Sequence, residues 1–170
     1  ATTNKIPLKI TKEKKAKALN TFYTELKKAM IALAKKIVMD GEGARKFIEI
    51  TVTNARTATS ARKICFSIAN SLLVKTAIAG EDANWGRLIM AIGKTKINLK
   101  IENIKIYIQN FLLCENGKAI NTVDDTKLSL ALKRKTVNIK VDLGEGGREF
   151  TVWTSDLTED YVRINADYRS

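Results

Sequence analysis

The first stretch with a clear period runs from about Asn20 to Met39. There Phe22, Leu26, Met30, Leu33 and Ile37 recur at helical spacing, while Lys27, Lys28, Lys35 and Lys36 fill other faces. Asn20 or Thr21 can cap its start, Glu25 lies near the positive end of the helix dipole, and Gly41 and Gly43 stop it. From Lys46 to Thr53 the period changes to two, and KFIEITVT alternates and is β-branched, which predicts a strand. A second helix is predicted over about Ser60 to Leu72, with Ala61, Ile64, Cys65, Ile68 and Leu72 on one side. Val74 to Ala79 is a short apolar run that reads as a buried strand, and Asn84 to Ile92 reads as a short helix with Trp85, Leu88, Ile89 and Ile92 inward. Ile104, Ile106 and Ile108 alternate in another strand. Phe111 to Cys114 and Lys118 to Ile120 flank Asn116-Gly117, a strong signal for a type I′ hairpin turn. Asp124 and Asp125 open a helix to about Leu132. Val137 to Leu143 and Arg148 to Thr154 then flank Gly-Glu-Gly-Gly at 144–147, which reads as a second hairpin.

Helices and hairpins in this order predict an α/β (α+β) sandwich of mixed, largely antiparallel sheet and helices, rather than a doubly wound sheet. The 170 residues read as a single domain, or as one lobe of a larger body. With 45% hydrophobic and 28% charged residues, the composition is that of a soluble globular protein. Apolar runs such as Ile31 to Ala34 are too short to cross a bilayer, so no membrane association is expected. Ala1 to Lys17 is lysine-rich and lacks the apolar core of a signal peptide, and Cys65 and Cys114 read as reduced thiols; both point to the cytoplasm. The net charge of +12 raises the question of a nucleic-acid partner. Its excess is mostly lysine spread over the whole chain, alongside abundant isoleucine and asparagine, a bias that AT-rich codon usage explains. No nucleic acid is therefore expected.

Absence of histidine excludes Ser-His-Asp and Cys-His catalysis and, with two scattered cysteines, argues against a zinc or copper site. The glycine turns at 41–43 and 144–147 lack the endings of phosphate or dinucleotide loops. Three segments stand apart from generic surface. Residues 40–46, DGEGARK, form an acidic glycine turn in which Glu42 either faces a cationic amine or is solvated beside a helix stop. Residues 75–87, KTAIAGEDANWGR, are a ligand-bearing turn, or else Asp82 or Asn84 caps a helix and Trp85 is core. Residues 160–170, DYVRINADYRS, are a tail that either docks into a site or merely packs.

Together these segments resemble the β chain of the glutamate N-acetyltransferase (ornithine acetyltransferase) family. The likeness runs from about Phe22 to Ser170 and is densest at 40–50, 67–87 and 156–170. Two departures are visible: Arg45 stands where the family usually has threonine, and Leu72 where proline is common. The resemblance implies a self-processing fold of the N-terminal-nucleophile type. It implies transfer of acetyl from N2-acetyl-L-ornithine to L-glutamate, in cyclic arginine biosynthesis, through an acetyl-threonine in a ping-pong scheme. The nucleophilic threonine, freed at the start of the β chain, would use its own α-amine as base. It also implies an α chain of the same precursor as partner, in an α2β2 heterotetramer, and ornithine and glutamate among the ligands. No cofactor is implied, although acetyl-CoA would be a substrate if the protein is bifunctional. Carried over by position, Glu42 would bind the amino-group end of the substrate, and Asn165 and Ser170 would hydrogen-bond the bound amino acid. No catalytic residue is expected within this chain. ATTNKI looks like a strand well inside the β chain, so Thr2 and Thr3 are poor nucleophile candidates and the catalytic threonine is expected upstream. The readings from other classes are a basic module binding nucleic acid or an acidic partner, and a related self-processing amidohydrolase or peptidase.

Overall fold

The computed structural model describes residues 12–167, with side chains from Ala16 onward; Thr2, Thr3 and Ser170 lie outside the described residues. Two compact units are distinguished, Ala1–Ile37 and Val38–Ser170. In the first, the described residues belong to α1 (Lys12–Met39), a helix of 28 residues. It starts earlier than the apolar period predicts because the residues ahead of Asn20 are mostly lysine, alanine and glutamate, which are good helix formers without an apolar period. Its stripe of Phe22, Leu26, Met30, Leu33 and Ile37 is exposed.

The second unit is built on one mixed sheet. Its strands are β1 (Phe47–Ala55), β2 (Lys105–Ile108), β3 (Phe111–Glu115), β4 (Lys118–Ala119), β5 (Thr136–Asp142) and β6 (Arg148–Ser155). They lie in the order β4-β3-β2-β5-β1-β6. The β1–β5 pair is parallel and the other neighbouring pairs are antiparallel, so the sheet is mixed and largely antiparallel as the element order predicts. The helices are α2 (Ala58–Ala69), α3 (Leu72–Ala79), α4 (Trp85–Gly93), α5 (Asp125–Leu132) and α6 (Glu159–Asp167). Alternation puts Ile48, Ile50 and Val52 of β1 and Val137, Ile139 and Val141 of β5 into one core, with Ile64, Cys65 and Ile68 of α2 and Leu88 and Ile92 of α4. Asn116 and Gly117 both have positive φ, +53° and +70°, as a type I′ turn between β3 and β4 demands. Among the described residues no helix is long and apolar enough to cross a membrane.

Two sequence expectations are corrected. Residues 74–79 are not a strand but the body of helix α3. Ser71 caps it, its side chain accepting from the Val74 N–H, and Val74, Ala77 and Ile78 are buried at helical spacing. An apolar run this short carries both periods, and only the caps decide between them. The predicted helix end at Leu72 moves with this: α2 closes at Asn70, and Leu72 opens α3 with its side chain exposed. The second correction concerns the glycine-rich turn. β5 and β6 do not form a hairpin, because β1 lies between them, parallel to one and antiparallel to the other. Residues 144–147 instead cross over the end of β1, where the Glu145 and Gly146 N–H groups donate to the Asn54 carbonyl at 2.9 and 2.8 Å. A Cβ on Gly146 would lie 2.5 Å from the Ala55 carbonyl oxygen, so its glycine serves close approach rather than a hairpin turn.

Candidate functional site

The turn after α1 and the C-terminal helix, far apart in sequence, meet. Residues 40–46 carry the chain from α1 into β1 through a tight turn in which the Ala44 N–H donates to the Gly41 carbonyl at 3.0 Å. Gly43 has φ +67°, and a Cβ there would lie 2.5 Å from the Tyr161 nitrogen; both the backbone conformation and the closeness of α6 require glycine. Exposed Glu42 and Asn165 are thereby neighbours: Nδ2 of Asn165 donates to Oε2 of Glu42 at 3.2 Å. The same Nδ2 donates to the Tyr161 carbonyl at 2.9 Å. With two acceptors near it, this nitrogen is the donor end of the amide, and Oδ1 is its acceptor end. A carboxylate that accepts one hydrogen bond has lone pairs left for others. The pair thus offers acceptors, which suits a protonated amine and disfavours an anion.

Polar contacts seat α6 against the turn. Oδ1 of Asp156 accepts from the Arg45 and Lys46 N–H groups, both at 2.9 Å, and the Thr158 hydroxyl donates to the Gly43 carbonyl at 2.6 Å. The Arg45 guanidinium donates to Oδ2 of Asp160 from Nε at 3.2 Å and from Nη2 at 2.5 Å. This hydrogen bonding, and then the positive charge itself, hold the Asp160 carboxyl below the usual aspartate range.

The segment at 80–87 is a structural bracket. Lys46 is 8% exposed, and its Nζ donates to Glu81 Oε1 at 3.0 Å and to the Leu132 carbonyl at 2.7 Å. Glu81 adopts φ +57°, a conformation rare outside glycine. Asn84 caps α4 by accepting from the Arg87 N–H at 3.2 Å, and Arg87 reaches back to the Leu73 carbonyl at 2.9 Å. Of the two readings the sequence leaves open, the observed geometry is the helix cap, with Trp85 packed against the core. Beside this bracket a cavity of about 510 Å³ is lined by Arg45, Thr76, Gly80, Thr158, Glu159 and Val162 among others; Glu42 and Asn165 are not on its wall.

Both cysteines are free and buried. The Cys65 thiol donates to the Phe150 carbonyl at 3.2 Å, and burial pushes its pKa up to about 11 against the opposing hydrogen bond at Val52. A thiol in that state is no nucleophile near neutral pH. Among the described residues no cluster of His, Cys, Asp and Glu could hold a metal ion. The geometry therefore brings two of the three expected binding residues together, Glu42 and Asn165, while Ser170 lies outside the described residues. Sequence reasoning missed Lys46, Asp156, Thr158 and Asp160. Their partners lie 35 to 115 residues away, so no local pattern marks them.

The sequence model of the ArgJ family matches residues 1–170. The arginine biosynthesis bifunctional protein ArgJ of Mesorhizobium japonicum is 47% identical over 152 residues, which cover 89% of this chain and 37% of that protein. The protein of the same name from Brucella suis biovar 1 is 46% identical over 154 residues, covering 91% and 37%. The chain thus spans little more than a third of the length of these curated relatives. The crystal structure of arginine biosynthesis bifunctional protein argJ from Bacillus halodurans superposes with a TM-score of 0.85 at 40% identity, covering 94% of this chain and 74% of that one.

Proposed function

Because the chain belongs to the ArgJ family, we propose that it supplies the amine-binding side of an acetyltransferase that moves acetyl from N2-acetyl-L-ornithine to L-glutamate in arginine biosynthesis. The observation that supports this reading is the 3.2 Å hydrogen bond from Nδ2 of Asn165 to Oε2 of Glu42, which sets a carboxylate and an amide side by side. Glu42 takes the ammonium end of the substrate in a charge-assisted hydrogen bond, and Asn165 accepts from a neighbouring N–H. Ser170, outside the described residues, is assigned a hydrogen bond to the bound amino acid by the family resemblance alone.

The covalent steps belong to the longer protein that the relatives exemplify. A threonine hydroxyl there attacks the acetyl amide carbon, its proton passes by way of the α-amine to the leaving amine, and ornithine departs. The α-amine of glutamate then attacks the resulting ester and restores the hydroxyl. Nothing in this cycle needs a metal or cofactor. The partner is the α chain of the same precursor, in an α2β2 assembly, and the compartment is the cytoplasm.

The test uses the full-length precursor, with N-acetylornithine and glutamate as substrates and ornithine release as the readout. Glu42→Ala is expected to raise KM for N-acetylornithine about tenfold or more, because a lost hydrogen bond to a charged group costs about 1.5–3 kcal/mol. Circular dichroism should be unchanged. A Glu42→Ala enzyme with wild-type KM refutes the assignment of this pair.

A further inference from the structure

We propose that Asp156 is a positioning residue for the Glu42–Asn165 pair, an inference that rests on the binding role given to that pair above. Asp156 stands where β6 leads into α6, nine residues before Asn165 in the chain, and its partners Arg45 and Lys46 follow Glu42 by three and four residues. It is 4% exposed. One oxygen, Oδ1, accepts both amides at 2.9 Å. Its own backbone N–H donates to the Lys46 carbonyl at 3.2 Å, so the junction is tied by side chain and main chain together. Successive N–H groups converging on one carboxylate oxygen make a short anion cradle, and charge-assisted bonds of this kind are stronger than neutral ones.

The remaining links between turn and helix are weaker in kind. Arg45–Asp160 and Glu42–Asn165 are exposed, and competing water reduces what such contacts hold. The Thr158 hydroxyl to Gly43 is a neutral hydrogen bond. Helix α6 has no buried residue, so apolar packing does not supply the missing hold. Lys46, gripped by Glu81 and the Leu132 carbonyl, fixes the other side of the same peptide to the sheet and helices. Asp156 therefore transmits the rigidity of the scaffold to the end of the turn, three residues from Glu42, and to the first turn of the helix that bears Asn165. Oδ2 has no hydrogen-bond partner among the described residues, so an asparagine at this position keeps the acceptor that matters.

The experiment compares Asp156→Ala, Asp156→Asn and Thr158→Val in the full-length precursor. It reads KM and kcat for N-acetylornithine, together with hydrogen exchange over residues 41–46. Asp156→Ala is expected to raise KM about tenfold with kcat within about threefold, and to speed exchange at the Arg45 and Lys46 amides about tenfold. Asp156→Asn, which keeps the accepting oxygen but loses the charge, should fall between wild type and the alanine variant on every measure. Wild-type KM in Asp156→Ala, or equal damage in the alanine and asparagine variants, overturns the proposal. If Asp156→Ala does not fold, Asp156→Asn decides through exchange: losing the charge should speed exchange at the Arg45 and Lys46 amides, whereas Thr158→Val leaves both amides paired to Asp156, and equal exchange in the two variants overturns the proposal. Failure of the function reading looks different: the wild-type precursor then shows no acetyl transfer, while faster exchange in Asp156→Ala still reports the clamp.

Discussion

Strand β1 and helix α6 are bound to each other through the 40–46 turn and the β6–α6 junction, yet different forces hold them in place. In β1 the side chains of Ile48, Ile50 and Val52 are wholly removed from water, and the strand is paired on both edges, with β5 and with β6. Each such side chain contributes about 1.5–3 kcal/mol through burial. Helix α6 buries none of its residues and is held by directional polar contacts from Asp156, Thr158 and Arg45. The strand forms part of the cooperative core, whereas the helix can open locally without unfolding it. A binding residue on such a helix is adjustable, and its precision depends on how firmly the junction is clamped. The structure places one member of the pair, Glu42, a few residues from the rigid end and the other, Asn165, on the loose one.

The largest effect expected from breaking this contrast is in the core. Ile50→Ala should lower unfolding free energy by about 3 kcal/mol, from lost transfer energy and the cavity left behind. A urea titration measures it, and a loss below about 1 kcal/mol contradicts the burial of this side chain. Gly43→Ala comes next, at about 1–3 kcal/mol, because a Cβ at φ +67° would strike the α6 backbone at Tyr161. This cost should appear locally: α6 amides exchange faster and Asn165 leaves Glu42, while the main unfolding midpoint moves little. A midpoint shift as large as that of Ile50→Ala would mean that α6 belongs to the core's cooperative unit.

Leu72→Pro should act in the opposite direction, on the scaffold alone. Leu72 is the first residue of α3, its side chain is exposed, and Ser71 before it is extended at φ −76°, ψ 110°, as a residue preceding proline must be. A gain of about 0.5 kcal/mol is expected from lower entropy of the unfolded chain, read as a higher urea midpoint. A loss would show that the Leu72 N–H has a role the helix start does not require. The smallest effect is on acid stability. Asp160 is held below its ordinary range by the Arg45 hydrogen bond and charge, so the folded form binds its proton less readily than the unfolded chain. Its contribution is complete above the unfolded value, about pH 4, and disappears as pH falls through the lower folded value. Protection of α6 amides, measured relative to the intrinsic exchange rate at each pH, should therefore fall on acidification below about pH 4, and Asp160→Asn should abolish that fall. An unchanged acid response in the variant would assign it to other carboxylates.

Much of the fold was legible because its signals are local. The helix ending at Met39, the alternation of KFIEITVT, the Asn116-Gly117 turn and the Asp124 cap each appear where the residues place them. Residues 74–79 read as a strand because a stretch of six residues, with four apolar ones among them, carries no decisive period; a single serine hydroxyl capping Val74 settles it as helix. The turn at 144–147 was misread for a different reason. Its glycines are compatible with a hairpin, and nothing within the segment reveals that β1, nearly a hundred residues earlier, inserts between its strands.

The same division runs through the candidate site. The sequence by itself determined that residues 40–46 form a glycine turn presenting Glu42, and that the three distinctive segments resemble one family, because side-chain type and spacing are properties of short stretches. Only the tertiary structure decided that Asn165 meets Glu42, that the segment at 80–87 is a bracket for Lys46, and that Asp156 joins turn to helix. Those contacts span 35 to 123 residues, and they depend on strand order and on the burial of polar groups. Strand order follows from the balance of the whole core, which no short stretch of chain contains.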